Sequence, residues 1–352
     1  MGDTDDLTVA VTGPTGDIGR ALLRRLDADS DVDRVIGMAR RPFDPSEAGL
    51  EKVEYRQGDI CDKSSVDSLV EDADVVVHLA FLIFGSVDET RVVNLEGCRN
   101  VFEASFDAAV ERLVYTSSVA AYGFHDDNPE LLTEDVHPRG TEEHYYSAQK
   151  AELEGRLKEM STGSDTDVFV FRPCIVAGPS ALSLIEKIPY VQIGERLPKT
   201  AKRVVQRLPL LRPVIPDPGV PFQLVHEYDV AEALTLAILG KGEPGVYNLA
   251  ADGEITLSDM AHALGWYALP IPEVAVDATL KVISALPLLP AQAGWINAVR
   301  VPVLMDCTKA REKLGWEPEF DALDTLAETI RSARDEGLLA RRTSDQTNEA
   351  PA

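Results

Sequence analysis

The stretch Leu7–Arg20, LTVAVTGPTGDIGR, constrains the fold of this chain more than any other. It reads as a short apolar strand from Leu7 to Val11, a turn carrying Gly13, Gly16 and Gly19, and a helix beginning near Asp17. Glycines at three-residue spacing let the backbone turn sharply, approach a pyrophosphate closely and pack the helix against the strand. Free N–H groups and the helix dipole then face the anion. The spacing is GxxGxxG, one residue longer at its start than GxGxxG, and such glycines in isolation often mark only a turn. Context selects the dinucleotide cradle: a strand directly before, and an amphipathic helix (Ile18, Leu22, Leu23, Leu26) directly after. The cradle residues are Gly13, Thr15, Gly16, Asp17, Ile18 and Gly19.

Further apolar runs follow as strands two to six: Val35 to Ala39, Val53 to Gln57, Val75 to Leu79, Arg112 to Thr116 and Val168 to Phe171. They alternate with helical patterns, among them Val92 to Phe106 and Glu143 to Met160, which predicts βαβ units and a six-strand parallel sheet. Beyond these, Phe222 to Val225 and Val246 to Leu249 read as strands. Asp229 to Leu239, Leu257 to Leu264, Thr308 to Leu314 and Leu323 to Ala333 read as helices. The expected fold is α/β, a Rossmann-type doubly wound parallel sheet with a smaller C-terminal substrate-binding lobe. Residues 1–178 form the NAD(P)-binding part, and 179–338 the lobe, interleaved with returning Rossmann elements at about 222–250. The polar tail 339–352 is expected to be disordered.

Net charge is -25 over 352 residues, a field that repels nucleic acid and anionic membrane alike. Only 11 of the 34 basic residues are Lys, so acid is abundant and lysine scarce; we expect adaptation to a high-salt cytoplasm, with an ordinary acidic enzyme as the alternative. Cys61, Cys98, Cys174 and Cys307 are far apart with no CxxC, which predicts a reducing compartment and no metal site. The N-terminus has no signal-peptide pattern. Val282 to Val299 is apolar but interrupted by Pro287, Pro290, Gln292, Gly294 and Asn297, and reads as a pocket wall or interface, not a span. A cytoplasmic chain is expected. Between Ser180 and Pro221, Lys187, Arg196, Lys199, Lys202, Arg203, Arg207 and Arg212 outnumber Glu186, Glu195 and Asp217, seven to three. That surplus is either a solvated face or the site of an anionic, phosphorylated or carboxylated substrate.

Tyr146 and Lys150 sit four apart on a predicted helix and share one face. Offering a phenolate near pH 7 asks for roughly 4 kcal/mol, about three pK units. One cation at ~4 Å supplies about that at an effective dielectric near 20, so the pair suits general acid/base work. The fifth strand ends in Tyr115-Thr116-Ser117-Ser118, which places hydroxyls at the carboxyl end of a parallel strand, where ligands of open α/β sheets bind. Ser117 is equally suited to capping the following turn.

With these residues in view, the chain resembles an extended short-chain dehydrogenase/reductase of the NAD(P)-dependent epimerase/dehydratase family. The resemblance runs from Leu7 to about Arg334 and rests on an ordered set of motifs: TGPTGDIG, GDICD (Gly58 to Asp62), DVVVHLA (Asp74 to Ala80), VNLEGCRNV, YTSSVAAYG, YSAQK (Tyr146 to Lys150), FRPCIVAGP, QLVHEYDVAEAL, VYNLA and KLGWEP. It implies Ser118, Tyr146 and Lys150 as a catalytic triad, Asp59 and Ile60 at the adenine, Leu79 and Ala80 beside the cofactor, and Tyr146 and Lys150 at the nicotinamide ribose. Asn94, Arg172, His226, Asp229 and Asn248 also match family positions, each with a structural alternative such as an N-cap. Two departures are informative. NAD-binding members end strand two with an acid, whereas this chain has Ala39, Arg40 and Arg41, which suits a 2′-phosphate and predicts NADP, with NAD usable. The Asp-Glu pair of sugar 4,6-dehydratases is missing after Thr116-Ser117-Ser118, leaving a dehydrogenase, a reductase or an epimerase. The substrate is then a small molecule, either an anionic nucleotide-sugar or something less polar. A non-catalytic NADP sensor or assembly subunit is the reading from another class, and the Phe102/Phe106 helix is the expected homodimer contact.

Overall fold

The computed structural model describes residues 7–83, 85–186, 188, 190–191, 213–272 and 301–339. The basic residues Lys187 to Arg212, the apolar run Val282 to Val299 and the tail from residue 340 lie outside them.

Strands β1 (Thr8–Thr12), β2 (Arg34–Ala39), β3 (Val53–Gln57), β4 (Val75–His78), β5 (Arg112–Thr116), β6 (Asp167–Pro173) and a late strand, Gly245–Leu249, form one parallel sheet. Its order, starting from the late strand, is then β6, β5, β4, β1, β2, β3. The expected six strands are joined by this seventh, which pairs with β6 through Gly245↔Phe169 to Leu249↔Pro173. Strand order reverses between β1 and β4, which opens a crevice at their carboxyl ends.

The sheet is covered on both faces, and the two-residue period of a strand divides its side chains between two cores. Val9, Val11, Val35, Val75, Val77, Val114, Phe169 and Phe171 face one side, under α1 (Asp17–Asp27). Ala10, Ile36, Met38, Val76, Leu113, Tyr115 and Val170 face the other, under α2 (Lys63–Val70) and the helices described next.

The single helix expected over Val92 to Phe106 is instead two pieces, a π-helical turn at Val92–Glu96 and α4 (Gly97–Asp107), and it is preceded directly by α3 (Val87–Arg91). A π-turn adds a residue to the helical repeat, and such turns concentrate at functional sites. Here it turns Asn94 inward, fully buried. α5 (Tyr145–Met160) is rich in strong helix formers, carries the ion pair Glu152–Arg156 at i,i+4, and docks through Ser147, whose Oγ donates to the Ala120 carbonyl at 2.6 Å. Phe102 is wholly buried under the sheet and Phe106 partly so, and both rings pack into the core of this chain.

Two small parallel ribbons lie outside the main sheet. β7 (Ile175–Ala177) pairs with β9 (Leu224–His226), and β8 (Val214–Asp217) with β11 (Tyr267–Pro270), where β10 denotes Gly245–Leu249. The expected strand Phe222 to Val225 therefore begins later and joins β7, not the central sheet. α7 (Glu227–Ile238) packs against α1. A third core gathers Leu182, Ile185, Ile215, Leu224, Met260, Leu264, Leu326 and Ile330 around α8 (Leu257–Leu264) and α9 (Ala322–Asp335), with α6 (Ser183–Glu186) at its rim. The short segment near Leu314 is a π-turn, Ala310–Leu314.

Candidate active site

The three glycines of the first turn meet different constraints. Gly13 has φ +75°, and a Cβ there would lie 2.7 Å from the Ala80 nitrogen, so the turn abuts the end of β4. At Gly19 a Cβ would lie 2.4 Å from the Gly13 carbonyl oxygen, which seats α1 directly on the turn. Gly16 is different: its Cβ would have nothing nearer than 3.5 Å, so the chain's own packing gives no reason for glycine. It is the N-cap of α1, where the absent side chain leaves the helix's free N–H groups open to an anion. These residues fit a dinucleotide pyrophosphate. Thr15 is half-buried in the same turn. Asp17 and Ile18 are half-buried: Asp17 Oδ2 accepts from Ser183 Oγ at 2.8 Å, and Ile18 packs against the core.

Arg40 and Arg41 are exposed at the carboxyl end of β2, and neither guanidinium forms an ion pair among the described residues. Their loop is held by Tyr55 Oη, whose one proton is shared between the Ala39 and Arg41 carbonyls, and by Gln57 Nε2, which donates to the Arg40 carbonyl at 2.9 Å. Asp59 stands after β3, its carboxylate accepting from Cys61 N. The Ile60 side chain is buried against Gly97, and its carbonyl accepts from Asn100 Nδ2 at 2.9 Å.

Ser118, Tyr146 and Lys150 come together at the other side of the crevice. The Ser118 hydroxyl caps the turn after β5, accepting from Ala120 N at 3.2 Å, and stands close enough to Tyr146 to favour its phenolate. Ser117 is separated from this work: its Oγ donates to Glu154 Oε1 at 2.5 Å. Lys150 is buried, and its Nζ donates to the Thr116 carbonyl at 2.8 Å and Tyr115 Oη at 3.3 Å. Nζ lies 6.0 Å from the Tyr146 ring centroid. Burial raises the Tyr146 phenol above its ordinary value, and only Ser118 opposes the shift. The expected lowering of the phenol by Lys150 is thus not seen, because desolvation outweighs a cation directed at Tyr115 and Thr116. Burial also pulls Lys150 down to about 8.

Leu79 and Ala80 lie between the two halves. Ala80 N donates to Thr12 Oγ1 at 3.4 Å, and the next residue, Phe81, meets the Tyr146 ring edge-on with centroids 5.4 Å apart. Below them runs a buried polar string: Thr12 Oγ1 is 2.6 Å from His78 Nδ1, and His78 Nε2 is 3.0 Å from Cys98 Sγ. Burial pulls His78 down to about 3 and pushes Cys98 up to about 12, so both are neutral at physiological pH.

Of the remaining family positions, Arg172 pairs with Glu154 (Nη2 to Oε2, 2.5 Å) in a buried ion pair, with its guanidinium 4.4 Å over the Tyr122 ring. Asn248 accepts from Tyr122 Oη at 2.8 Å, Asp229 accepts from Glu319 N at 2.8 Å, and His226 caps α7 through Nδ1. These are scaffold roles. Asn94 exchanges two hydrogen bonds with the Leu82 backbone and donates to Gln149 Oε1 at 2.8 Å. Sequence reasoning missed Glu154, although the signal was there: Tyr146, Lys150 and Glu154 follow one another at i, i+4 and i+8 on α5. It also missed Phe81, one residue past DVVVHLA, and Gln149, which stands inside YSAQK but was given no role there.

The NAD dependent epimerase/dehydratase family model matches residues 9–250. The low-salt glycan biosynthesis protein Agl12 of Haloferax volcanii is 27% identical over 333 residues, 91% of this chain and 96% of that protein. Among solved structures, the UDP-glucose 4-epimerase of Thermotoga maritima with UDP-glucose aligns at TM-score 0.68 and 22% identity, over 94% of this chain and 99% of its own. The Bordetella bronchiseptica enzyme WbmH in complex with NAD+ aligns at TM-score 0.67 and 21% identity, again over 94% and 99%.

Proposed function

Because the chain belongs to the NAD dependent epimerase/dehydratase family, we propose that it is an NAD(P)-dependent enzyme moving hydride at a carbinol or carbonyl carbon, with Tyr146 as general acid/base. One observation carries the reading: the glycine turn and the Ser118, Tyr146 and Lys150 cluster abut the same Leu79–Phe81 segment at the sheet's switch point. The bound dinucleotide supplies the hydride acceptor or donor at its nicotinamide. Backbone N–H groups of Thr15 and of the first turn of α1 would hold its pyrophosphate, with Gly13, Gly16 and Gly19 keeping the cradle open to it. The Gly13 and Gly16 N–H groups are themselves bonded to the Met38 and Gly13 carbonyls. Asp59 and Ile60 would meet its adenine end, Leu79 and Ala80 one wall, and Lys150 and Tyr146 the nicotinamide ribose. Arg40 and Arg41 receive a 2′-phosphate, so NADP is preferred and NAD is usable. With its phenol kept protonated by burial, Tyr146 gives its proton to the substrate carbonyl oxygen as hydride reaches the carbon, and the resulting phenolate takes the proton back from the hydroxyl in the reverse direction. Ser118 orients that oxygen.

The relatives favour a nucleotide-sugar substrate and, with it, epimerisation through transient oxidation: one is named for glycan biosynthesis, and one solved neighbour was determined with UDP-glucose. Val119 and Ala120 stand where a 4,6-dehydratase needs its Asp-Glu pair, which argues against dehydration. The C-terminal lobe, residues 179–338, would hold the substrate, and the -25 net charge supports work in high salt.

The test is to titrate the chain with NADPH and NADH, then to incubate it with UDP-glucose and the tighter cofactor, following epimerisation at C4 by proton NMR and cofactor reduction at 340 nm. We expect Tyr146→Phe still to bind cofactor, within a few-fold to about tenfold of the parent for the loss of one hydrogen bond to the ribose, while losing about 10²–10⁴ in turnover. A chain whose cellular role survives that change would be a sensor, not an enzyme.

A further inference from the structure

Phe81 stands between the proposed acid/base and its lysine, and the chain fastens it there from both sides. Lys150 Nζ lies 3.8 Å from the Phe81 ring centroid. The Tyr146 ring meets the same ring at an interplanar angle of 88°. Its loop is strapped to α5 by the residues next to this pair. Tyr145 Oη donates to the Ile83 carbonyl at 2.5 Å, and Gln149 Oε1 accepts from Asn94 Nδ2, whose amide also grips the Leu82 N–H and carbonyl.

Lys150 needs such a neighbour. It is 3% exposed, and its two hydrogen-bond acceptors, a carbonyl and a phenol, are neutral. The carboxylate on its own helix, Glu154, is engaged by Arg172 and Ser117. A buried ammonium without an anion of its own is costly, and an aromatic face at this distance offsets part of that cost.

We infer that Phe81 is a positioning residue: its ring holds Lys150 in the ammonium form and braces Tyr146, so that without the ring cofactor binding is lost at lower pH. The inference rests on the reading above in one respect, that Lys150 meets the cofactor. The groups facing Lys150 are His78 from β4, Cys98 from α4, Tyr115 from β5, and Tyr146 and Glu154 from α5. His78 at about 3 and Cys98 at about 12 stay neutral between pH 6 and 9, and burial raises both tyrosines. Lys150, near 8, titrates inside that window. Removing the ring lowers it further, so the cation disappears at a lower pH.

The experiment measures NADPH and NADH dissociation constants by calorimetry from pH 6 to 9.5 for the full chain and for Phe81→Leu, Phe81→Met, Phe81→Tyr and Lys150→Met. Two ring-free variants are included so that a folding defect in one, checked by circular dichroism, does not decide the outcome. In the parent, affinity should weaken as pH rises through about 8. In the ring-free variants the same weakening should begin about one pH unit lower, with affinity at pH 6 within a few-fold of the parent. Phe81→Tyr should restore the parent profile, and Lys150→Met should abolish the pH dependence. Superimposable profiles for parent and ring-free variants overturn the inference, as does a pH dependence that survives in Lys150→Met. Failure of the parent to bind either cofactor at any pH overturns instead the functional reading, and this inference with it.

Discussion

The glycine turn and the tyrosine cluster face one another across a single crevice but are built in opposite ways. The turn is seven consecutive residues, Gly13 to Gly19, and its shape is dictated by local backbone geometry and by the contact of Gly19 with the Gly13 carbonyl. The cluster draws Phe81 from the loop after β4, Asn94 from a π-turn, Ser118 from the end of β5, and Tyr146, Gln149 and Lys150 from α5. Its parts are held by buried hydrogen bonds and one ion pair. A local site should fail by steric insult, and a non-local one by loss of a polar link.

The largest effect should come from the ion pair beneath the cluster. Glu154→Ala leaves Arg172 buried without its carboxylate and Ser117 without its acceptor, and should cost about 3–5 kcal/mol in urea unfolding. Glu154→Gln, which keeps the Ser117 acceptor, should cost less. Equal losses in the two variants would show that the charge pair, not the network, is what matters.

The turn offers a sharper contrast. Gly19→Ala places a methyl carbon against the Gly13 carbonyl and Pro14, and should destabilise by roughly 1–3 kcal/mol as well as weaken cofactor binding. Gly16→Ala has ordinary clearance within the protein and should leave the melting temperature nearly unchanged while still weakening NADPH binding, because its methyl group enters the space kept for phosphate. If both variants lose stability alike, the distinction drawn between the glycines is wrong.

The smallest effect belongs to the rim of the turn. Replacing Arg40 and Arg41 together by Ala should weaken NADPH about tenfold at low salt and NADH hardly at all, with the difference shrinking as salt is raised. A parent chain that binds NADH more tightly than NADPH would remove the basis for this assignment.

Much of the site was legible before any coordinates. Short apolar runs bounded by turns place five of the first six strands to within a residue or two at either end, because a strand buried on both faces needs a near-continuous apolar run, while β3, VEYRQ at the edge of the sheet, shows the apolar–polar alternation of a half-buried strand. Tyr146 and Lys150 follow from the i,i+4 repeat of a helix. The π-turn at Val92–Glu96 was not legible, since a uniform helical pattern does not reveal one extra residue. The resemblance names Ser118 beside Tyr146, but the local sequence gives Ser117 the wrong structural role: the cap of the turn after β5 is Ser118, and Ser117 bonds Glu154, one turn beyond Lys150, a contact between two elements that no spacing shows.

What the amino-acid order determined by itself is therefore the periodic and the local: the alternating strands and helices, the glycine turn, and the pairing of a phenol and an amine on one helical face. What tertiary structure decided is the electrical state of those groups. Whether Lys150 acts on Tyr146 or rests against Phe81, Tyr115 and the Thr116 carbonyl depends on which side chains surround it in space. Desolvation is a property of that three-dimensional neighbourhood, and no spacing in the chain encodes it.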